Sequence, residues 1–377
     1  MTKDKQHINV PHLRFPEFTG AWKKVLLGQI ANITKGNGIS KEQLSDQGTP
    51  CILYGELYTK YKSEIINEIY SKTTLNSSAL VKSQANDVII PCSGETAIDI
   101  STARCVPYND VLLGGDLNII RLKSQNGGFF AYQLNGVRKH DIACIAQGVS
   151  VVHLYGENLK RIKVCYPSIE EQRKITSLLS LIDERIATQN KIIKKLETLI
   201  KALSHKLTTQ KKPNTLLKNC LVCHSSTLLE SHVKGKGQYP VFGATGICGY
   251  TDKSDISGDS ILIIKDGAGV GTTTYATGKY SVIGTLNYLQ STQEHYSLLY
   301  IYYSLKTFDF RPYITGMAIP HIYFRDYGKA KIWCPDIVEQ KRIATVLRTM
   351  DAKLKINHSI LRNLTLQKQY LLSNLFI

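Results

Sequence analysis

Three short stretches carry residue types that perform chemistry in other proteins. Cys220, Cys223 and His224, in CLVCH, match the pattern of covalent haem attachment. That attachment requires export, and the opening MTKDKQHINVP has no apolar core of a secretory leader. Zinc would need a second ligand pair at suitable spacing, and none is present. Half-buried apolar thiols are expected instead, with all nine cysteines free. KDGAGVGTT (265–273) follows the apolar run ILII and invites a nucleotide loop. Thr272, however, stands where the third glycine of G-x-G-x-x-G belongs, and TTTYATGKY favours strand and turn over the required helix. A Gly-rich turn whose amides can approach a phosphate is the better expectation. The third stretch, CPDIVEQKRI (334–343), places Asp336, Glu339 and Lys341 like a nuclease metal constellation. Such constellations separate their carboxylates by a strand, whereas these share one helical turn. A near-copy, YPSIEEQRKI (166–175), replaces the Asp by Ser168 and the Lys by Arg173. Helix capping survives both changes, and metal chemistry does not. A DNA adenine methyltransferase would need an Asn/Asp-Pro-Pro-aromatic loop and a motor a G-x-x-x-x-G-K-[S/T] loop; the sequence has neither. No catalytic residue and no metal site are expected. The alternative is a stand-alone DNA-modifying or DNA-cleaving enzyme with atypical motifs.

The repeated phrase points to the elements that carry it. Shifting the sequence by 168 positions aligns 148–207 with 316–375 without a gap, at 15 identities in 60. They include Gly148/Gly316, His153/His321, Tyr155/Tyr323, Pro167/Pro335, Glu171/Glu339, Gln172/Gln340 and Asp183/Asp351. Ser168 and Asp336 suit helix N-caps, and Glu171 and Glu339 stand three residues later, as a capping box requires. A heptad follows each cap: Ile175, Leu179, Ile182, Ile186, Gln189, Ile193, Leu196, Ile200, Leu203, Leu207, then Ile343, Leu347, Met350, Leu354, Asn357, Leu361, Leu364, Lys368, Leu371, Leu375. Each seam spans about 50 Å at ~1.5 Å per residue. A stripe this long needs a partner, and the obvious one is the other helix. Gln189 and Asn357 hold equivalent mid-seam positions, where a polar residue fixes register at some cost in stability.

Residues 1–165 and 210–334 read as globular, with short β-type runs broken by Gly, Asn, Asp and Pro. The repeat persists there faintly: DVIIPCSG (87–94) resembles SILIIKDG (260–267), and GGDLNII (114–120) resembles IGTLNYL (283–289). The unit is a globular domain followed by a long helix (166–209 and 335–377), used twice. The fold class expected is α+β: two globular domains separated by two long helices that form an intramolecular antiparallel coiled coil, with an internal pseudo-twofold repeat. One surface does the same job twice, and another does two related jobs.

Lys and Arg number 47 against 30 Asp and Glu, a net charge of +17. The excess is spread as +5, +3, +5 and +4 over 1–165, 166–209, 210–334 and 335–377. That distribution suits a chain lying along a polyanion, although it also favours solubility. No apolar run approaches the ~18 residues of a membrane span, so no membrane role and a cytoplasmic location are expected.

Together these markers resemble the specificity subunit of type I restriction–modification enzymes. The resemblance rests on VPHLRFPEFTGAW with LGQI (10–22, 27–30), both proline–cap–EQ helix starts, the coiled-coil repeats, YPVFGATGICGY and ILIIKDGAG. It implies two target recognition domains, each reading half of a split double-stranded DNA site, with the helices as a ruler. It implies a non-enzymatic adaptor that recruits two modification (methyltransferase) subunits and, through them, restriction subunits. S-adenosylmethionine, ATP and Mg would then reside on those partners. Candidate DNA-binding residues are Tyr58, Lys60, Tyr61, Lys62, Ser93, Gly94 and Gly148 in the first domain. In the second they are Lys234, Lys236, Tyr239, Lys265, Asp266 and Gly316. Lysines would grip phosphates, while Tyr and Asp could touch base edges. Tyr also packs well in strands. His153 and His321 recur with the repeat, which favours a structural role.

Overall fold

The computed structural model describes residues 9–377. Residues 1–8, which carry most of the leader-free reading of the N-terminus, lie outside the described residues. The chain divides into two compact units, one made of residues through Asn190 with Ile360–Ile377, the other of Lys191–Ser359.

In the first unit an antiparallel sheet runs in the order Ala31–Lys35, Leu117–Leu122, Asp87–Pro91, Arg104–Val106. All five residues of Asp87–Pro91 are buried, as a short continuous apolar run in a central strand requires. A second sheet contains Leu44–Ser45, Ser71–Thr73, Thr49–Ile52 and Leu112–Leu113, the last two parallel. Helix α1 (Gly127–Asn135) is capped by the Asn126 side chain, which accepts from the Phe129 amide. Phe129, Phe130, Tyr132 and Leu134 of α1 are fully buried.

Long helix α2 follows (Ile169–Thr208). In the second unit the same sheet recurs as Leu221–Ser225, Leu286–Ser291, Ser260–Ile264, Thr273–Ala276. The faint sequence similarity falls on matching pairs: Asn118 lies opposite Ile90, and Asn287 opposite Ile263. A further sheet has the order Gly246–Thr251, Tyr239–Gly243, Lys279–Val282, Ile256–Ser257. Helix α3 (Leu298–Lys306) is capped by Ser297, as α1 is by Asn126.

Helix α4 (Ile337–Asn374) completes the repeat. At ~1.5 Å per residue α2 and α4 are each close to 60 Å long. Every seam position named above is buried or half-buried, while Ile192 and Ile360 beside the seams are exposed. In the first unit Ile175 and Leu179 share a core with Leu371, Leu372 and Leu375. In the second, Leu203 and Leu207 pack with Ile343, Ala344 and Leu347. Within each unit the early turns of one helix meet the late turns of the other, so the pair is antiparallel. Gln189 is buried, and Asn357 is half-buried with its amide donating to Lys353 O at 2.8 Å.

The caps differ from expectation in one respect. Ser168 Oγ and Asp336 Oδ1 accept from the amides of Glu171 and Glu339, at 3.4 and 3.0 Å. The two glutamates are engaged elsewhere. Glu171 is 1% exposed and forms a bidentate pair with Arg14 at 2.8 and 2.7 Å. Glu339 is paired with Arg342 one turn on, at 2.8 Å through both oxygens. A charged guanidinium offers a carboxylate a stronger partner than a backbone amide does.

Candidate nucleic-acid interface

Each unit builds the same hairpin beside the end of its central strand. In the first, Gln147 and His153 exchange backbone hydrogen bonds of 2.9 and 2.7 Å, closing a loop over Gly148–Val152. Strand Val152–His153 then pairs with Ser93–Gly94. In the second, Thr315 and His321 exchange two bonds of 2.8 Å, and His321 bridges to Asp266. Gly148 has φ +122° and Gly316 φ +90°, in the region that disfavours a side chain. A Cβ at either would lie 2.1 Å from Val151 O or 2.4 Å from Ile319 O, so both turns require glycine.

A cleft of about 1000 Å³ opens next to the first hairpin. It gathers Tyr58, Lys60, Ser93 and Gly94 with Ser150 and Val151. Tyr58 rises from the one-turn helix Glu56–Thr59, with its hydroxyl close to Gly94 and Gly55. Burial, reinforced by Tyr54, Asp99 and Glu95, raises the pKa of its phenol, which therefore stays neutral and can donate or accept. Lys60 is less free than expected, since its Nζ lies 2.6 Å from Glu56 Oε1 and 3.2 Å from Ser71 Oγ. Lys62 is exposed, donating to Thr59 O at 3.0 Å. Tyr61 departs from expectation. It is 4% exposed within the core formed by Ile52, Leu57 and Ile66, so its ring packs and does not face a ligand.

In the second domain Lys265 and Asp266 pair at 2.5 Å between Nζ and Oδ2, both partly exposed. The Gly-rich stretch after them joins two antiparallel strands, with Ile263 opposite Thr273 and positive φ at Gly267 and Gly271. Lys234, Lys236 and Tyr239 belong instead to the neighbourhood of the Tyr239–Gly243 and Gly246–Thr251 strands. Both lysines are exposed, and Lys279 Nζ stands 5.9 Å from the centre of the Tyr239 ring. Around CLVCH, Cys220 donates to Leu216 O, Cys223 packs against the core and the His224 ring stacks on Tyr288 at 4.8 Å. Among the described residues no cluster of three or more His, Cys, Asp or Glu could hold a metal, and no helix is long and apolar enough to cross a membrane.

A second repeated geometry attaches each domain to its long helix. Gln172 Oε1 accepts from the amide of Asn126, and its Nε2 donates to Pro167 O, at 2.9 and 3.0 Å. Gln340 does the same with Ser297 and Pro335, at 2.9 and 2.8 Å. One turn into α1, Tyr132 donates to Asp183 at 2.8 Å; in α3, Tyr303 donates to Asp351 at 2.9 Å. The domain helix is thus fixed at its cap and at its middle by the same two residue types.

A family model described as "Type I restriction modification DNA specificity domain" matches residues 20–198 and 222–366, one span on each side of the α2 terminus. The chain belongs to this specificity family. Its fold resembles that of the type I restriction-modification S subunit from M. genitalium, at TM-score 0.69 and 18% identity over 98% of this chain and 99% of that one. It also resembles a chain from a structure concerned with assembly and conformational transition of a type I system, at TM-score 0.56 and 17% identity over 97% and 99%.

In this specificity-family chain the attachment residues are only partly marked in the sequence. Gln172/Gln340 and Asp183/Asp351 were visible as repeat identities. Their partners Tyr132 and Tyr303 stand 171 positions apart, outside the gapless alignment, and so carried no mark. Lys368 reads as a seam residue, yet its Nζ lies 2.6 Å from Asp183 and 2.5 Å from Glu64.

Proposed function

We propose that the chain is a non-catalytic specificity subunit reading an asymmetric, bipartite double-stranded DNA target. Each domain reads one half-site, and the paired helices set an unread spacer between them. The observation that carries this reading is the paired hairpin, alike in both domains but flanked by different residues. Ser93 stands beside His153 in one domain, and Asp266 beside His321 in the other. A serine can donate to or accept from several base edges, whereas an aspartate suits the cytosine amino group, so the half-sites differ. Exposed Lys62, Lys234 and Lys236 hold phosphates and position the chain without reading sequence. Tyr58 in the cleft and the Gly94 and Gly148 backbones meet the first half-site, while Lys265 orients Asp266 at the second. Gln189 and Asn357 select one register of the helix pair.

The repeated helix starts offer equivalent surfaces to two modification subunits, through which restriction subunits join in the cytoplasm. Those partners hold the S-adenosylmethionine, ATP and Mg. Incubating the purified chain with DNA, Mg and labelled S-adenosylmethionine should give no turnover. Adding the modification subunits should produce methylation confined to one bipartite sequence. Turnover by the chain alone would contradict the adaptor role and favour an enzyme with atypical motifs.

A further inference from the structure

The hairpin tips expose apolar side chains where neither packing nor phosphate binding calls for them. Val149 and Val151 are 96% and 53% exposed, and Met317 and Ile319 are 105% and 60% exposed. The residues correspond across the 168-residue repeat, Val149 to Met317 and Val151 to Ile319. The stripe continues through His153 and Tyr155 in one copy and His321 and Tyr323 in the other, with ring centres 6.2 and 5.7 Å apart. Buried Val152, Leu154 and Ile322 alternate with it, so it forms one face of an extended segment. The required glycines hold each tip outward in a fixed turn.

We infer that both tips are apolar wedges that enter the duplex and press on a base step beside each half-site. This rests on the DNA-reading function proposed above and assigns the shared, sequence-tolerant part of that contact. Three observations favour DNA over a protein partner. Each tip offers two exposed aliphatic side chains, far short of the ~20–30 residues a side of an ordinary protein interface. Each is continuous, through backbone pairing, with the residue proposed to read bases, Ser93 or Asp266. The tips stay apolar in both copies while those neighbours differ, as a wedge common to two dissimilar half-sites would. Inserted aliphatic side chains partly unstack a step and bend the duplex, which brings more protein into contact.

The test uses the full chain in complex with its modification subunits, on duplexes carrying the methylation-mapped target with 2-aminopurine beside each half-site. V149S/V151S should weaken target binding tenfold or more and abolish fluorescence brightening at the first half-site. M317S/I319S should do so at the second, with the methylated sequence unchanged in both. V149L and M317L should retain binding and brightening, which separates a wedge from a folding requirement. Wild-type affinity and brightening in both serine pairs would overturn the inference, as would loss of modification subunits at unchanged DNA affinity. A wild-type complex that protects no sequence would instead remove the DNA-reading function itself.

Discussion

The attachment sites of the two domains share their hydrogen bonds and differ in the charge around them. At the first, Asp183 accepts from Tyr132 and meets Lys368 at 2.6 Å, while the same ammonium reaches Glu64 at 2.5 Å. Those three charged side chains are 6%, 13% and 8% exposed. At the second, Asp351 accepts from Tyr303, and Lys306 stands 3.6 Å away with 35% of its side chain exposed. The repeat counterpart of Lys368 is Ile200, since 368 − 168 = 200, and it is buried. Fastening a domain helix to a long helix therefore needs the glutamine and the Tyr–Asp bond. The buried ion cluster is an addition of the first unit, where Lys368 of α4 ties Glu64 of the domain to Asp183 of α2.

The sharpest way to break this comparison is to remove the lysines. Lys368→Met leaves two buried carboxylates facing each other and should cost about 3–5 kcal/mol. Lys306→Met, at a more exposed pair, should cost under about 1 kcal/mol. Calorimetry of the full chain reads both, and equal losses would erase the distinction drawn here.

Next in size is a pH effect. Burial, helped by the Glu64 carboxylate, holds Asp183 up at about 6 despite Lys368. Between about 4 and 6 the folded state keeps a proton that the unfolded state has released, so this group's contribution to stability falls as pH rises and its cost is complete above about 6. Glu64 acts with the opposite sign: burial is the largest influence and opposes its ionisation, but Lys368, Arg104 and the Asp183 side chain together outweigh it and lower its pKa, so its contribution is lost on acidification. Asp183→Asn should therefore steepen the rise of unfolding free energy from pH 4 to 6, by at most about 3 kcal/mol across the window. A flat or unchanged profile would contradict the assignment.

The smallest expected difference lies between the glutamines. Gln172→Leu and Gln340→Leu each orphan a cap amide and a proline carbonyl, and each should cost about 2 kcal/mol. Protection of the α1 and α3 amides by hydrogen exchange should fall equally; a one-sided loss would show that the two attachments are not equivalent.

The long helices were legible because a heptad repeats one physical demand many times, and no Gly or Pro interrupts it. The Glu of the capping phrase was misread because spacing alone does not show that Arg14, 157 residues away, approaches its carboxylate. Tyr61 illustrates the same limit. Beside Tyr58 and two lysines it resembles a ligand-facing residue, yet only the sheets decide which tyrosine points inward. Lys368 is the one charged residue of an otherwise largely aliphatic seam, and that mismatch is the mark its buried partners leave in the sequence. The positions of Ser93 and Asp266 are marked in the sequence by the strand-to-turn similarity, but the hairpins beside them emerge only from strand pairing.

The most direct test of two dissimilar readers in one chain is a genome-wide map of methylated adenines in the host, with and without this gene. The account predicts one asymmetric motif, two short half-sites across a fixed gap, that vanishes when the gene is deleted. An unchanged map, or a lost motif that is continuous or palindromic, would contradict it.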